Sequence, residues 1–279
     1  MTMITASKRR REPRAMLQIA MLFSALQAGA PAPAAGTAQE DPAKAGRALA
    51  EAIDRRDDGF GDYQARLHMV IIEADGARRS RDLRYALLEG RSEGDRSLIT
   101  FLSPADVEGT TLLTHAHKDR DDDQWLYLPA LKRVKRISSS NRAGAFMGSA
   151  FAYEDLAGQD IDKYHYRLLG ETEHAGQPAF LLERIPDYSG TGYSRQRLTV
   201  DKAELRILSI EFFNHQGVHE KTLTMEGYRL HTGRHWRADR MHMVNHLDGR
   251  ATILEWSEHR FGTGLSEFDF AVGALGRDR

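Results

Sequence analysis

The amino-acid sequence predicts a mainly β protein: one long antiparallel meander that curls on itself, with a helix laid across its concave face. Three observations carry this expectation. Between residues 63 and 261, short extended runs alternate with turn residues, the pattern of consecutive strands. Several junctions (Asp75-Gly76, Gln216-Gly217, Thr232-Gly233 and Asp248-Gly249) are dipeptides that suit tight hairpins. So many hairpins in series must curve or close to protect their edges.

The elements follow in order. Residues 1–34 read as a secretory leader. Lys8, Arg9, Arg10, Arg11 and Arg14 form its basic start, and Met16 to Leu26 is an apolar run too short to span a bilayer. Ala32-Pro33-Ala34 supplies the cleavage site, so cleavage is expected near Ala34. Residues 35–42 form a polar linker, and 43–56 form a helix with Ala45, Leu49, Ala52 and Ile53 on one face. Strands are expected at 63–73, 78–88, 96–102, 109–115, 124–128 and 132–138. After an irregular stretch come 164–171, 179–185, 194–201, 207–214, 219–230, 235–246 and 250–261. Leu208, Ile210 and Phe212 alternate with Ile207, Ser209 and Glu211, giving one dry face. Leu98 to Leu102 is apolar on both faces apart from Thr100, so that strand should be covered on both sides. Residues 35–279 are read as a single β domain.

Composition narrows the function classes. The chain has no cysteine, which rules out disulfides, thiol catalysis and acylation at a lipobox cysteine; a soluble rather than tethered protein is expected. Without the leader the formal charge falls from −1 to −5, so nothing marks a nucleic-acid binder.

The segment from Asp121 to Leu156 holds the most information. Trp125 and Tyr127 sit on an aromatic strand, and Pro129-Ala130 turns the chain into Lys132, Arg133, Lys135 and Arg136. Ser138 to Asn141 follow, then Phe146 and Met147 between Gly144 and Gly148, and then Phe151 and Tyr153 leading into a short helix. This segment resembles the signature of the LolA-like outer-membrane lipoprotein-sorting proteins, in their larger uncharacterised branch. Gly192 to Gln196, Lys221 to Thr224, Trp236 to Ala238, Met243 to His246 and Glu255 to Ser257 agree with it. The resemblance covers most of the chain after the leader. It implies a curved, half-open antiparallel β-barrel with a few helices on its concave side, a periplasmic location and binding of acyl chains. It also implies an association with exporters of the resistance-nodulation-division type.

On that basis Trp125, Tyr127, Phe146, Met147, Phe151 and Tyr153 are candidate contacts for an acyl ligand. The Phe146 loop reads equally as a lid tip, hinged by glycine and adaptable through methionine, or as internal packing. Lys132, Arg133, Lys135 and Arg136 are candidates for head groups or an acidic partner, or form a solvated strand edge. Asp119, Asp121, Asp122 and Asp123 lack the spacing of a calcium loop and read as a solvated turn. His115 and His117 have no third ligand nearby in sequence. Glu154 and Asp155 are neighbours on a helix and diverge. There is no G-x-S-x-G elbow and no phosphate- or dinucleotide-binding glycine pattern. No catalytic residue, metal or cofactor is therefore expected.

The function expected is a monomeric periplasmic carrier of lipid or lipoprotein acyl chains between the two membranes, touching membrane transiently. The alternative is a non-enzymatic adaptor of a resistance-nodulation-division exporter. A carrier should show a dry groove, an adaptor a filled core.

Overall fold

The computed structural model describes residues 41–90 and 93–276. The expected leader and residues 35–40 of the linker lie outside them. No helix among the described residues is long and apolar enough to cross a membrane.

Helix α1 runs Pro42–Asp57, one residue beyond the expectation at each end. Asp41 caps it, its side chain accepting from the Ala43 N–H, and Pro42 opens the first turn where its missing N–H costs nothing. Thirteen strands follow: β1 (Asp62–Ile72), β2 (Arg78–Leu88), β3 (Arg96–Ser103), β4 (Thr111–His115), β5 (Asp123–Leu128), β6 (Arg133–Ile137), β7 (Tyr164–His174), β8 (Gln177–Pro186), β9 (Tyr193–Asp201), β10 (Ile207–Asn214), β11 (His219–His231), β12 (His235–Asn245) and β13 (Ala251–Phe261). Each expected strand is present with its ends moved by at most three residues. The glycines of all four expected hairpin dipeptides have positive φ.

All thirteen strands form one antiparallel sheet in the order β6-β5-β4-β3-β2-β1-β13-β12-β11-β10-β9-β8-β7. The chain thus builds two meanders, joined where β1 pairs with β13. In a flat sheet the outer strands β6 and β7 would lie roughly 58 Å apart at about 4.8 Å per step. Instead Ile137 of β6 and Tyr164 of β7 belong to one buried cluster, so the sheet curls around a common core. It does not close, since β6 and β7 do not pair. The architecture is the curved, half-open barrel expected.

The two faces carry separate cores. Leu67, Met69, Ile71, Leu83, Phe101, Leu112, Leu126, Leu198, Phe212, Leu223, Met243 and Leu254 project to the concave side and form the main cluster. Ala50 of α1 is buried in it, and Leu49 and Ile53 pack against it. On the convex side, residues 262–276 cross β2 to β5, where Phe270, Leu265, Val272 and Leu275 meet Ala86, Leu88, Leu98, Leu113 and Trp125. This is why β3 is apolar on both faces: Ile99 and Phe101 look inward while Leu98 meets the tail.

Candidate ligand site: a plug across the open seam

No strand bridges β6 to β7; the intervening chain is folded inward instead. Residues 142–157 form a plug with short 3-10 turns at Phe146–Gly148 and Glu154–Leu156. A bridge between Ala145 and Ala152, with Phe146 N–H donating to Phe151 O at 2.7 Å, closes it into a loop. Phe146 at the turn is 0% exposed, its ring 5.7 Å from Phe101 and 5.5 Å edge-on from Tyr153. Phe151 is buried and Met147 and Tyr153 are half-buried against the same cluster. The concave face is therefore filled by the protein's own aromatic side chains. An aspartate at Phe146 would bury a charge among rings and cost stability.

Polar contacts fasten the plug at both ends. At the tip, Met147 adopts a left-handed conformation (φ 48°), and its carbonyl accepts from Arg81 Nη1 at 2.7 Å. The Arg81 guanidinium lies 5.5 Å from the Phe101 ring centroid, and burial pulls its pKa down. The Ala150 N–H donates to Thr252 Oγ1 of β13 at 2.9 Å. Lower down, Gln124 of β5 donates to Tyr153 O at 3.0 Å.

At the base, Asp155 accepts from the Ala152 N–H (2.7 Å) and Tyr193 Oη (2.9 Å), and Lys221 Nζ donates to the same phenol at 3.0 Å. The Asp155 side chain is 4% exposed; burial raises its pKa and Lys221, 3.9 Å away, works against that. Glu154 turns the other way and accepts from Tyr188, Thr191 and the Gly192 N–H, between 2.8 and 3.0 Å. Burial raises its pKa too. The two carboxylates diverge as expected.

A second set of charges braces the seam. Asp122 pairs with Lys163 and accepts from the His117 and Gly158 N–H groups. Arg142 donates to Asp122 O at 2.7 Å and pairs with Asp121 at 3.3 Å. Asp123 meets Arg136, Arg120 and His117; burial works to raise its carboxyl, but these partners outweigh it and hold it at about 2. The aspartate run is thus a solvated turn only at its start: Asp119 is exposed, but Asp122 and Asp123 are both buried. Gly190 lets the β8–β9 loop reach this seam, since a Cβ there would sit 2.1 Å from Ser139 O.

The fold separates the six candidate ligand residues. Phe146, Met147, Phe151 and Tyr153 gather on the concave side. Trp125 and Tyr127 do not join them, because alternation along β5 turns Gln124, Leu126 and Leu128 inward and those two outward. Trp125 lies beneath the C-terminal tail, 5.0 Å from the His115 ring, and Tyr127 touches Gly276. Arg133, Lys135 and Arg136 are exposed on the strand at the sheet edge, and Lys132 is exposed in the turn that leads into it.

A family model described only as that of an uncharacterized protein-like family matches residues 93–277. A solved domain from Vibrio parahaemolyticus, described as a candidate outer membrane lipoprotein-sorting protein, is 45% identical with a TM-score of 0.83. The match covers 84% of this chain and all of that one. A DUF1329 family protein from Desulfovibrio piger is 34% identical over 84% of this chain and 99% of its own, with a TM-score of 0.80. The chain belongs to the family of the outer-membrane lipoprotein-sorting domain and the DUF1329 protein. A LolA superfamily protein from Nitrosomonas europaea, 22% identical over 82% of this chain and 99% of its own, shares the fold with a TM-score of 0.65. Among curated proteins none matches.

Sequence reasoning missed the fasteners Arg81, Gln124, Thr252, Asp155, Tyr193 and Lys221. Tyr193 and Lys221 do fall in runs that carry the family resemblance. A polar residue at an inward position of an otherwise apolar strand was the available signal.

Proposed function

We propose that this family member is a periplasmic carrier, delivered by cleavage of the leader near Ala34, that takes acyl chains of lipids or lipoproteins onto its concave face when the plug withdraws. The observation that carries the reading is the plug: an irregular segment whose Phe146, Phe151 and Tyr153 fill the place of a hydrophobic guest. Burial of a 16-carbon chain gains about 12 kcal/mol at roughly 0.8 kcal/mol per methylene, and uncovering three aromatic side chains costs about 5–9 kcal/mol. The exchange leaves a modest surplus, as a carrier that must also release its cargo requires.

The chain has no cysteine, so the plug can be locked cleanly. Ala150 and Thr252 are joined by a 2.9 Å hydrogen bond, which puts their Cα atoms within disulfide reach, under about 6.8 Å. The double variant Ala150→Cys/Thr252→Cys should take up a fluorescent fatty acid when reduced and lose uptake when oxidised. Equal uptake in both states would sink the plug mechanism. The filled concave face favours a second reading, a non-enzymatic adaptor of an inner-membrane exporter. Failure of the unlocked wild-type protein to bind fatty acid, with no lipid in mass spectra of periplasmic preparations, would select it.

A further inference from the structure

The two edges of the sheet are finished differently. On β7, α1 lies so close that a Cβ on Gly46 would sit 2.7 Å from the backbone N atoms of Arg167 and Leu168. β6 pairs with β5 alone, and no described residue hydrogen-bonds to its backbone from the other side. Alternate residues of such a strand direct N–H and C=O groups away from the sheet. Lys132, Arg133 and Lys135 are exposed and make no ion pair with any described residue, whereas Arg136 is committed to Asp123. Leu131, at the turn into the strand, is 67% exposed.

We propose that β6 is a docking edge for an acidic, extended segment of a partner protein, added antiparallel or parallel as a further strand. Main-chain hydrogen bonds would supply the pairing and side chains the selectivity. The register dictates the pattern. Arg133 and Lys135 share a face with Leu128 and Leu126, and Val134 projects with Tyr127 on the other. An incoming strand is therefore recognised by acidic side chains on the Arg133–Lys135 face and an apolar one beside Val134, an acid–apolar–acid alternation. A second copy of this chain is disfavoured, because β6 against β6 sets like charges opposite one another. The inference goes beyond the carrier reading and does not depend on it, since β6 lies outside the plug.

The test uses full-length protein without cargo and a fluorescein-labelled nine-residue peptide of alternating Glu and Val, followed by anisotropy at 50 and 200 mM salt. Wild type should bind. The triple variant Lys132→Glu/Arg133→Glu/Lys135→Glu should bind at least tenfold more weakly while melting at an unchanged temperature, because all three side chains are solvated. Two further peptides, N-methylated either on every Glu amide or on every Val amide, expose the two backbone edges separately. One should lose binding and the other keep it. Equal binding of all three peptides would show attraction to charge without strand pairing and overturn the proposal. So would binding of phosphatidylglycerol vesicles, lost in the triple variant, with no binding of the peptide.

Discussion

Two irregular segments cover the two faces of this sheet, and both combine apolar burial with polar ties. The Thr263 and Gly264 N–H groups of the tail donate to Asp62 and its Phe270 carbonyl meets His115 at 2.8 Å, whereas the plug is tied in addition through the buried Lys221–Asp155 pair. The tail at 262–276 lies on the convex face through Phe270, which is fully buried, and through Leu265, Val272 and Leu275. The plug at 142–157 also buries aromatics, but its ends hang on Arg81, Thr252 and the Asp155–Tyr193–Lys221 group. Buried ion pairs contribute little net stability compared with apolar residues of the same volume. What they supply is a defined position that is lost when one partner is lost. On the carrier reading, the plug is the segment that must be exchanged and the tail the one that stays.

The comparison breaks first at Phe270. Phe270→Ala should cost about 3–5 kcal/mol in urea denaturation, equally at pH 5 and pH 8, with fatty-acid uptake unchanged. A loss below about 1 kcal/mol would mean the tail is not anchored there.

Lys221→Met should cost about 3 kcal/mol at pH 8, by leaving Asp155 buried without its cation. Burial already raises the Asp155 pKa against Lys221, and removing the cation raises it further. A carboxyl raised on folding penalises the native state above its folded pKa, and the penalty fades as pH falls through that value toward the ordinary carboxylate range. The variant should therefore recover stability on acidification, where Phe270→Ala does not. Identical pH profiles for the two would erase the distinction between plug and tail.

The smallest effect is expected for Thr252→Val, which leaves the Ala150 N–H without its acceptor. It should cost about 1 kcal/mol and speed fatty-acid uptake. Slower uptake would place the release point elsewhere.

The strands were legible because period-two alternation and glycine turns are local signals, and α1 because its apolar face is local too, although its Asp41-Pro42 start was read as linker. The division of Trp125 and Tyr127 from Phe146 was half legible. Alternation announces that β5 has two faces, but nothing near β5 in sequence says that Phe270 covers the outer one. The buried end of the aspartate run was misread for a similar reason: Asp122 is buried against Lys163, 41 positions away, and a charge's partner across a seam leaves no trace beside it. Gly46 looks like an ordinary helix glycine until β7 is seen pressing on it.

The junction of β1 with β13 has a consequence for how the molecule comes together. The first strand of the sheet pairs on one side with the last, so a chain made or delivered from its N-terminus cannot finish the middle of its sheet until residue 261 has arrived. Until then β1 to β6 form a separate meander whose inner edge stays unmatched. Such sequence-distant closure slows folding and makes the final hairpin, which brings β13 to β1, the step that commits the chain.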